Sequence, residues 1–408
     1  MRAYRELFGH RDARWPLITS TLSRITPGMI ALAIVLLIRD GGYTYTVAGI
    51  VTAAHQIGVG VGSPIQGKLA DRFGQPTVLM PDALGYLAGT VGLALLVGAE
   101  ASVAALVTVA VVTGMVYPPT TACSRAVLGR LFPTGPLRST AFAVSSIAVE
   151  LGFIVGPLLA VVVWTRFGGG WTVVVAGLAA MVGALAYATT GAARATPRRA
   201  RATDRAGALR SPGVRVMVVA LGAVAVAFGV IDIVLPAVAE FAGQPAAVGW
   251  LIASIASGSL LGGLVYGGRS WPGTVASRLR VLVVVLAVGL MLVPLTAGSL
   301  PVFAVGLFLG GVFLGPTTIC AFQLIDDLAL PGTQTEAQSW TQSAVVAGVA
   351  VGAAASGLAV DLGGPALALL TGGGSVGVGA LVINLRNGRL ELPEAPASPE
   401  ATEAAPAG

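Results

Sequence analysis

Long apolar runs recur along this chain, and they limit its possible folds more than any other feature of the sequence. Twelve runs are long enough to cross a hydrocarbon core of ~30 Å, which takes roughly 20 helical residues each. Only 10% of the 408 residues are charged, whereas a soluble domain carries about 25%. The sequence therefore predicts an all-α integral membrane protein. A membrane β-barrel would instead show shorter alternating segments.

The predicted helices form two groups of six, separated by the polar segment 191–213, which we interpret as a flexible cytoplasmic linker. An N-terminal six-helix bundle is predicted at 15–190 and a C-terminal bundle at 214–385. Residues 1–14 are predicted to form a cytoplasmic segment and residues 386–408 a disordered cytoplasmic tail. The helices are predicted at 15–38, 46–66, 77–98, 101–123, 139–163, 171–190, 214–236, 246–267, 279–297, 301–322, 338–360 and 365–385.

Lysine and arginine are distributed unevenly between the two sides of this arrangement. With the N-terminus inside, 21 of the 24 basic residues lie in inside segments, and Arg39 and Arg166 lie in outside loops. Cytoplasmic loops of membrane proteins carry such an excess. The sequence therefore predicts a multi-pass plasma-membrane protein with both termini in the cytoplasm. The same charge contacts anionic lipid, so the pI of 9.8 does not require a nucleic-acid partner.

The polar chemistry of the chain argues against an enzyme. Cys123 and Cys320 lie inside apolar runs without metal-ligand spacing, which favours small core residues. No G-x-x-x-x-G-K-[ST] loop occurs, and the intramembrane groups lack a nucleophile–base pair. We expect no cofactor and no metal. The first apolar run is too long for a signal peptide, so we interpret it as a retained membrane helix.

The two halves are related to each other in sequence. GMVYPPTTAC at 114–123 and GVFLGPTTIC at 311–320 share five residues, and each segment ends the fourth helix of its half. Gly152 and Gly156 recur 196 residues later as glycines at 348 and 352. This pattern indicates an internal duplication, and two parallel six-helix halves imply a binding site between them near the midplane.

The segment GKLADRFGQP at 67–76 separates the second and third predicted helices. With the six-plus-six arrangement and the basic central segment, it resembles the major facilitator superfamily, over residues 15–385. The resemblance implies two pseudo-symmetric six-helix bundles that move by alternating access. Gln75 and Pro76 depart from the family pattern, which often has further basic residues there. The matching positions are Gly67, Leu69, Ala70, Asp71, Arg72 and Gly74.

In the fold that this resemblance implies, the 67–76 segment meets helix eleven of the other half. We therefore expect a cytoplasmic latch that holds the outward-open state. Lys68 or Arg72 would supply its cation. The alternative is that the motif only sets topology. The possible acidic partners are Asp326, Asp327 and Glu336.

Ionisable residues at membrane depth are costly and are usually paired or functional. Arg24 and Glu150 lie at similar depth on helices that are neighbours in the implied fold, so we predict an ion pair. The pair is either a proton-coupling device or a permanent structural contact. His55 is a second coupling candidate, with a hydrogen-bonded core histidine as the alternative. Asp232 either lines the cavity or lies near its outer mouth.

Helix five contains GFIVGPLLAV, which resembles the antiporter signature G-x-x-x-G-P-x-x-G-G. Gly152, Gly156 and Pro157 match, whereas Ala160 and Val161 replace the last two glycines. The signature marks proton-coupled exporters in the superfamily. Close helix packing with a proline kink is the alternative interpretation.

The resemblance implies a secondary active transporter that exports a small organic molecule in exchange for protons. Its expected partners are a small-molecule substrate, protons and membrane lipid, and it is expected to act as a monomer. An importer of a small solute and a membrane-embedded ligand sensor without flux remain alternatives.

Overall fold

The computed structural model of the chain describes residues 2–132, 136–195, 207–269, 271–296, 298–330 and 334–390. Within these ranges the chain is helical and contains no β-strand. The α-helices are α1 (Arg2–Gly9), α2 (Arg11–Ser23), α3 (Ile25–Asp40), α4 (Tyr45–Phe73), α5 (Gln75–Gly98), α6 (Val103–Met115), α7 (Thr120–Leu131), α8 (Pro136–Ala188), α9 (Gly191–Arg194), α10 (Pro212–Phe241), α11 (Val248–Gly267), α12 (Val275–Leu292), α13 (Leu300–Leu328) and α14 (Gln334–Leu385).

Several helices begin at a serine or threonine that the sequence places just before an apolar run. The side-chain oxygens of Thr44, Ser102, Ser211 and Thr274 each accept a hydrogen bond from the backbone N–H three residues later. Such caps satisfy N–H groups that have no partner within the helix. They fix where these helices start in a bilayer that offers no water to the backbone.

The two longest helices are hairpins of two membrane-spanning arms. α8 breaks at Gly168 (φ 81°) and α14 at Gly364 (φ 76°), a backbone region that favours glycine. Gly152 and Gly183, on opposite arms of α8, pack against adjacent residues of the α2–α3 segment. Both arms of α8 therefore pass the α2–α3 segment at the same level, so the chain reverses its direction at Gly168.

The number of membrane crossings agrees with the predicted fold. Nine stretches of the described residues are long and apolar enough to cross a membrane, and two of them are the α8 and α14 hairpins. α4, with 29 residues, is long enough to be the twelfth crossing, but the charges at its end lower its hydropathy. The twelve-helix, all-α membrane fold is confirmed.

The helix boundaries differ most clearly from the prediction in two interrupted helices and in the length of α4. The first predicted helix is split between α2 and α3, and the fourth is split between α6 and α7, where two prolines follow each other at 118–119. α4 continues to Phe73, so most of the 67–76 motif is helical and the connection to α5 is the single residue Gly74 (φ 97°). Charged residues at a membrane-helix end can remain helical because they reach the interface.

The internal duplication has a structural counterpart in helix packing. Gly152 of α8 lies against the backbone carbonyl of Arg24, and Gly348 of α14 lies against the carbonyl of Gly222. In each half a small residue of the fifth helix thus allows close approach to the first helix. The two halves are built to the same plan, and Gly222 occupies in the second half the place of Arg24 in the first.

The halves meet at several helix contacts, and glycines lie at two of them. α4 packs against the first arm of α14, with Gly49 beside Gly357. α11 packs against the first arm of α8, with Gly249 beside Val161. We call the end of the molecule that holds Asp40, Glu240 and Asp361 the distal end, and the opposite end, where the described part of the chain begins and ends, the proximal end.

Candidate functional site

Arg24 is buried at the break between α2 and α3, with a side chain only 2% exposed. Pro27 lies one turn after it, and proline cannot donate a hydrogen bond to the carbonyl of residue 23. The helix is interrupted at this point, and the Ser23 carbonyl accepts a long hydrogen bond (3.5 Å) from the Tyr117 hydroxyl instead. The proline thus explains the break where the arginine lies.

Only one edge of the Arg24 guanidinium is used by the protein. Nη1 donates to the backbone carbonyl of Ser145 on α8. Nε and Nη2 are buried and have no hydrogen-bond partner among the described residues. The Ser145 hydroxyl oxygen is likewise buried without a partner. Three polar groups with hydrogens to donate therefore lie unsatisfied around one guanidinium, an arrangement that native proteins seldom tolerate without a purpose.

Aromatic side chains extend this polar site across the N-terminal half. Tyr117, in the segment between α6 and α7, lies within electrostatic range of Arg24. Its ring packs edge-on against Tyr86 of α5, with centroids 5.1 Å apart. The Tyr86 hydroxyl lies 3.3 Å from Nε2 of His55 on α4. The four residues, called the N-half cluster below, connect the α2–α3 break, α4, α5 and the α6–α7 segment of one bundle.

The equivalent positions of the C-terminal half are apolar. Gly114 lies against the carbonyl of His55, and its repeat counterpart Gly311 lies against the carbonyl of Ile255. The 200-residue offset between His55 and Ile255 also pairs Tyr86 with Leu286, and the 197-residue offset between the two glycines pairs Tyr117 with Leu314. All three counterparts line one small apolar cavity, together with Phe228, Ile231 and Leu290. The duplicated scaffold thus carries charge and hydroxyl groups in one half and hydrocarbon in the other.

The predicted proton-coupling residues are dispersed. Arg24 and His55 belong to the N-half cluster. Glu150 lies on the first arm of α8, but its side chain is outside the described residues, so the Arg24–Glu150 pair stays a prediction. Asp232 is half-buried on α10 in the other half, and no hydrogen bond or ion pair to it occurs among the described residues.

The predicted cytoplasmic latch lies at the proximal end. Asp71 and Arg72 are exposed, and the Arg72 guanidinium lies 5.1 Å from the Phe73 ring centroid. Asp326 accepts a hydrogen bond of 2.7 Å from Gln338 in its own half. The Glu336 side chain lies outside the described residues. The latch remains a prediction about another state of the protein.

The helix-five motif has a packing role. Gly152 and Gly156 are buried against the α2–α3 backbone, where an added Cβ would collide with main-chain atoms of Arg24, Ile25 and Gly28. Pro157 is buried beside them. The motif therefore determines how closely the first arm of α8, which is the predicted helix five, approaches the α2–α3 segment at Arg24.

A set of contacts that sequence reasoning missed closes the distal end. Arg39 Nη2 lies 2.6 Å from Glu240 Oε1, which joins α3 of one half to α10 of the other. The Tyr45 hydroxyl donates to Glu240 Oε2 at 2.6 Å. Asp361 of α14 accepts from the backbone N–H and the hydroxyl of Thr46 at 2.7 and 2.6 Å, so it caps α4 of the opposite half.

An open groove of about 720 Å³ lies at this distal end. Asp40, Trp164 and Trp250 are among its lining residues, which come from both halves. The Asp40 carboxylate is already engaged by the Trp164 indole N–H at 2.9 Å and the Gly169 N–H at 2.7 Å. The groove lies beside the contacts that close the distal end, and we interpret it as a vestibule. In the described part of the chain, no group of His, Cys, Asp and Glu side chains is placed to hold a metal ion.

Comparison with known proteins decides the family. The family model of the Major Facilitator Superfamily matches residues 17–271, more than half of the chain. The chain belongs to the major facilitator superfamily. This agrees with the resemblance that the 67–76 motif indicated. A search of curated proteins gave no match.

Solved transporters of the superfamily share this fold. A point mutant of the nucleoside transporter NupG superposes with a TM-score of 0.76 at 13% identity, covering 92% of this chain and 99% of its own. A point mutant of the peptide transporter POT gives 0.69 at 16% identity, covering 94% and 96%. The human organic anion transporter MFSD10 gives 0.61 at 15%, covering 91% and 99%. At these identities the likeness to solved structures establishes the fold alone. Membership of the superfamily identifies the chain as a transporter rather than an enzyme.

Proposed function

We propose that this major facilitator is a proton-driven exporter of a small organic molecule, and that it works by rocking two six-helix bundles about the N-half cluster. The observation that carries this proposal is the combination of a closed distal end with a buried polar cluster in one bundle. Arg39–Glu240 and Asp361–Thr46 join the halves distally. Since these bonds cross between bundles, they must break if the distal end is to open.

The proposed orientation places the distal end outside the cell. The segments at the proximal end carry most of the basic residues, and such loops face the cytoplasm. Both termini would then be cytoplasmic and the protein would lie in the plasma membrane as a monomer, with its basic segments at the anionic lipid surface. In this orientation the present state is closed to the outside.

Two features support proton coupling and export. Carboxylates lie at membrane depth at Glu150 and Asp232, where such residues commonly relay protons. The Gly152–Pro157 segment resembles the antiporter signature and packs directly on the helix break that bears Arg24. The similar structures are transporters of nucleosides, peptides and organic anions, so a small organic solute is the natural class of cargo.

The test is efflux of a panel of labelled organic cations, anions and neutral solutes from cells lacking their own exporters. Wild type, Glu150→Gln and empty vector are compared with and without an uncoupler. We expect uncoupler-sensitive efflux that Glu150→Gln abolishes at normal protein level. The matched control is Glu100→Gln, which removes an exposed carboxylate outside the helices and should leave efflux intact. Uptake instead of efflux would support an importer, and binding without flux would support a sensor.

A further inference from the structure

We propose that Arg24 binds an oxyanion of the transported molecule, so that the cargo is an organic anion bearing a carboxylate or a phosphate. This inference rests on the proposed transport function and specifies its substrate class. It starts from a geometric fact about one side chain. The unpartnered nitrogens of Arg24 are Nε and Nη2, while Nη1 is occupied by the Ser145 carbonyl.

Nε and Nη2 form one edge of the guanidinium, and their N–H bonds on that edge are parallel. This edge matches two oxygens of a carboxylate or phosphate, which it binds with paired hydrogen bonds. The hydrogen bond from Nη1 to Ser145 holds the plane of the group, so the free edge is fixed in direction before any ligand arrives. A guanidinium that is already held in one orientation loses less conformational entropy on binding than a mobile side chain does.

The energetic cost of this arrangement also indicates a ligand. Since Arg24 is only 2% exposed, its guanidinium has lost its water, and burial of an unpaired charge is costly. Among the described residues Arg24 has no carboxylate partner within ion-pair distance. An anion that arrives from outside the protein would supply the missing charge and two acceptors in one group.

The surrounding polar groups suit an anion. The Ser145 hydroxyl is buried without a partner, and a hydroxyl can donate to an oxyanion. Tyr117, within electrostatic range of Arg24, makes one long hydrogen bond of 3.5 Å through its hydroxyl among the described residues. Ser145 lies on α8 and Tyr117 in the segment between α6 and α7, beside the same guanidinium. The site thus offers the fixed guanidinium of Arg24 and two hydroxyl donors, and Arg125 lies within electrostatic range as a second cation.

The repeat shows that this chemistry is not a requirement of the fold. The second half builds the same helix crossing with Gly222 in the place of Arg24. Its equivalents of His55, Tyr86 and Tyr117 are apolar and line a cavity of hydrocarbon. Since the scaffold closes without the charge in one copy, the charge in the other copy has a different use than helix packing.

The first experiment identifies the cargo without assuming it. Cells that express wild type or Arg24→Gln, and cells with empty vector, are compared by mass spectrometry of medium and cell extract. We expect the compounds whose distribution depends on wild type to carry a carboxylate or a phosphate at neutral pH. Cationic or uncharged compounds would contradict the anion site while leaving the transport function intact. If no compound depends on the wild type, the transport function itself fails, and this inference fails with it.

The second experiment separates recognition from structural support. Purified wild type, Arg24→Lys and Arg24→Gln are titrated with the leading anion and with its neutral amide or ester. We expect Arg24→Gln to weaken binding of the anion on the order of 10- to 100-fold, and to change the neutral analogue little. The anion affinity of Arg24→Lys should lie between those of wild type and Arg24→Gln, because lysine keeps the charge but lacks the paired N–H groups of the guanidinium.

A matched control comes from Arg130, whose guanidinium donates to the carbonyls of Ala192 and Ala195 in the same half. Arg130→Gln should lower thermal stability without altering the ratio of anion to amide affinity. If Arg24→Gln weakens both ligands equally, the arginine is structural and the proposal is wrong. If Glu150→Gln alone creates anion binding, Glu150 fills the free edge in the resting protein, and the site is an internal ion pair.

Discussion

Arg39 and Glu240 form an ion pair across the two bundles, with Nη2 and Oε1 2.6 Å apart and the Arg39 guanidinium stacked 4.3 Å from the Tyr45 ring centroid. Their side chains are 27% and 42% exposed, and such surface pairs contribute only ~1 kcal/mol or less. The pair is therefore strong enough to bias a two-state equilibrium and weak enough to break in every transport cycle.

Loss of this pair should open the distal end. We expect Glu240→Gln to raise the population of distal-open protein by up to about fivefold, the equivalent of ~1 kcal/mol. Spin labels at Arg166→Cys and Gln244→Cys, both exposed positions of opposite halves, would report the opening as a longer distance. The native cysteines at 123 and 320 are buried. The swapped pair Arg39→Glu with Glu240→Arg should restore the closed distance, and failure to do so would indicate that Tyr45 is the main contact.

Asp361 should stabilise the start of α4 from the opposite bundle. Asp361→Ala removes the acceptor for two N–H groups and one hydroxyl, at Tyr45 and Thr46. Loss of a helix cap costs about 1 kcal/mol. We expect faster hydrogen exchange in the first turn of α4 and an increased distal-open population. Asp361→Asn keeps an acceptor oxygen and should give a smaller effect. Equal exchange in wild type and Asp361→Ala would mean that the cap contributes nothing.

The glycines of helix five should be needed for packing whatever the coupling mechanism. An added Cβ at Gly156 would meet backbone atoms of Ile25, Gly28 and Met29. Overpacking of this kind costs roughly 1–3 kcal/mol, so Gly156→Ala should lower the melting temperature. The control is Gly98→Ala, because an added Cβ at Gly98 meets nothing within 4 Å. Equal melting temperatures for the two variants would refute the close approach of helix five to α3.

The predicted latch can be tested by reversal of the Arg72 charge. If Arg72 holds the outward-open state, Arg72→Glu should deplete that state, and the 166–244 label distance should shorten under conditions that otherwise open the distal end. Arg269→Glu is the control, since it reverses an exposed arginine at the same end of the other half. An unchanged distance distribution in Arg72→Glu would leave the 67–76 motif with a role in topology only.

His55 is expected to be a hydrogen-bonded core residue rather than a proton carrier, because it is 2% exposed and its Nε2 is 3.3 Å from the Tyr86 hydroxyl. His55→Gln keeps a side chain that can bond to Tyr86 and should preserve the pH profile of transport. Tyr86→Phe should cost about 1 kcal/mol of stability. A pH profile that flattens in His55→Gln at normal stability would assign the proton to His55 instead.

The fold could be predicted from the sequence because the length of each apolar run is a local property of the chain. Each crossing needs its own run of residues, and the positions of Gly168 and Gly364 as hairpin turns follow from the short breaks between such runs. The helix breaks were not predicted, although Pro27 and the 118–119 prolines indicate them. The continuation of α4 through the 67–76 motif was missed because its charges lower the local hydropathy.

The site was predicted only in part because its bonds join distant positions. The burial of Arg24 and His55 could be inferred from their depth in apolar runs. Their actual contacts, the Ser145 carbonyl and the Tyr86 hydroxyl, lie 121 and 31 residues away in sequence. The Arg39–Glu240 bond spans 201 residues. A single sequence fixes which groups are costly at membrane depth, but the pairing depends on how the helices pack.

The unequal polarity of the two repeats has a consequence for how cargo preference can change. One copy of the duplicated unit holds the charge, and the other copy lines a hydrocarbon cavity with Ile255, Leu286 and Leu314. If Arg24 binds the cargo as proposed, substitutions in the second copy would alter the size and shape of the apolar cavity without touching the guanidinium. Substitutions around Arg24 would alter charge preference without reshaping that cavity. Under this proposal, gene duplication provides two selectivity controls that mutation can adjust separately, and new cargoes are reachable in small steps.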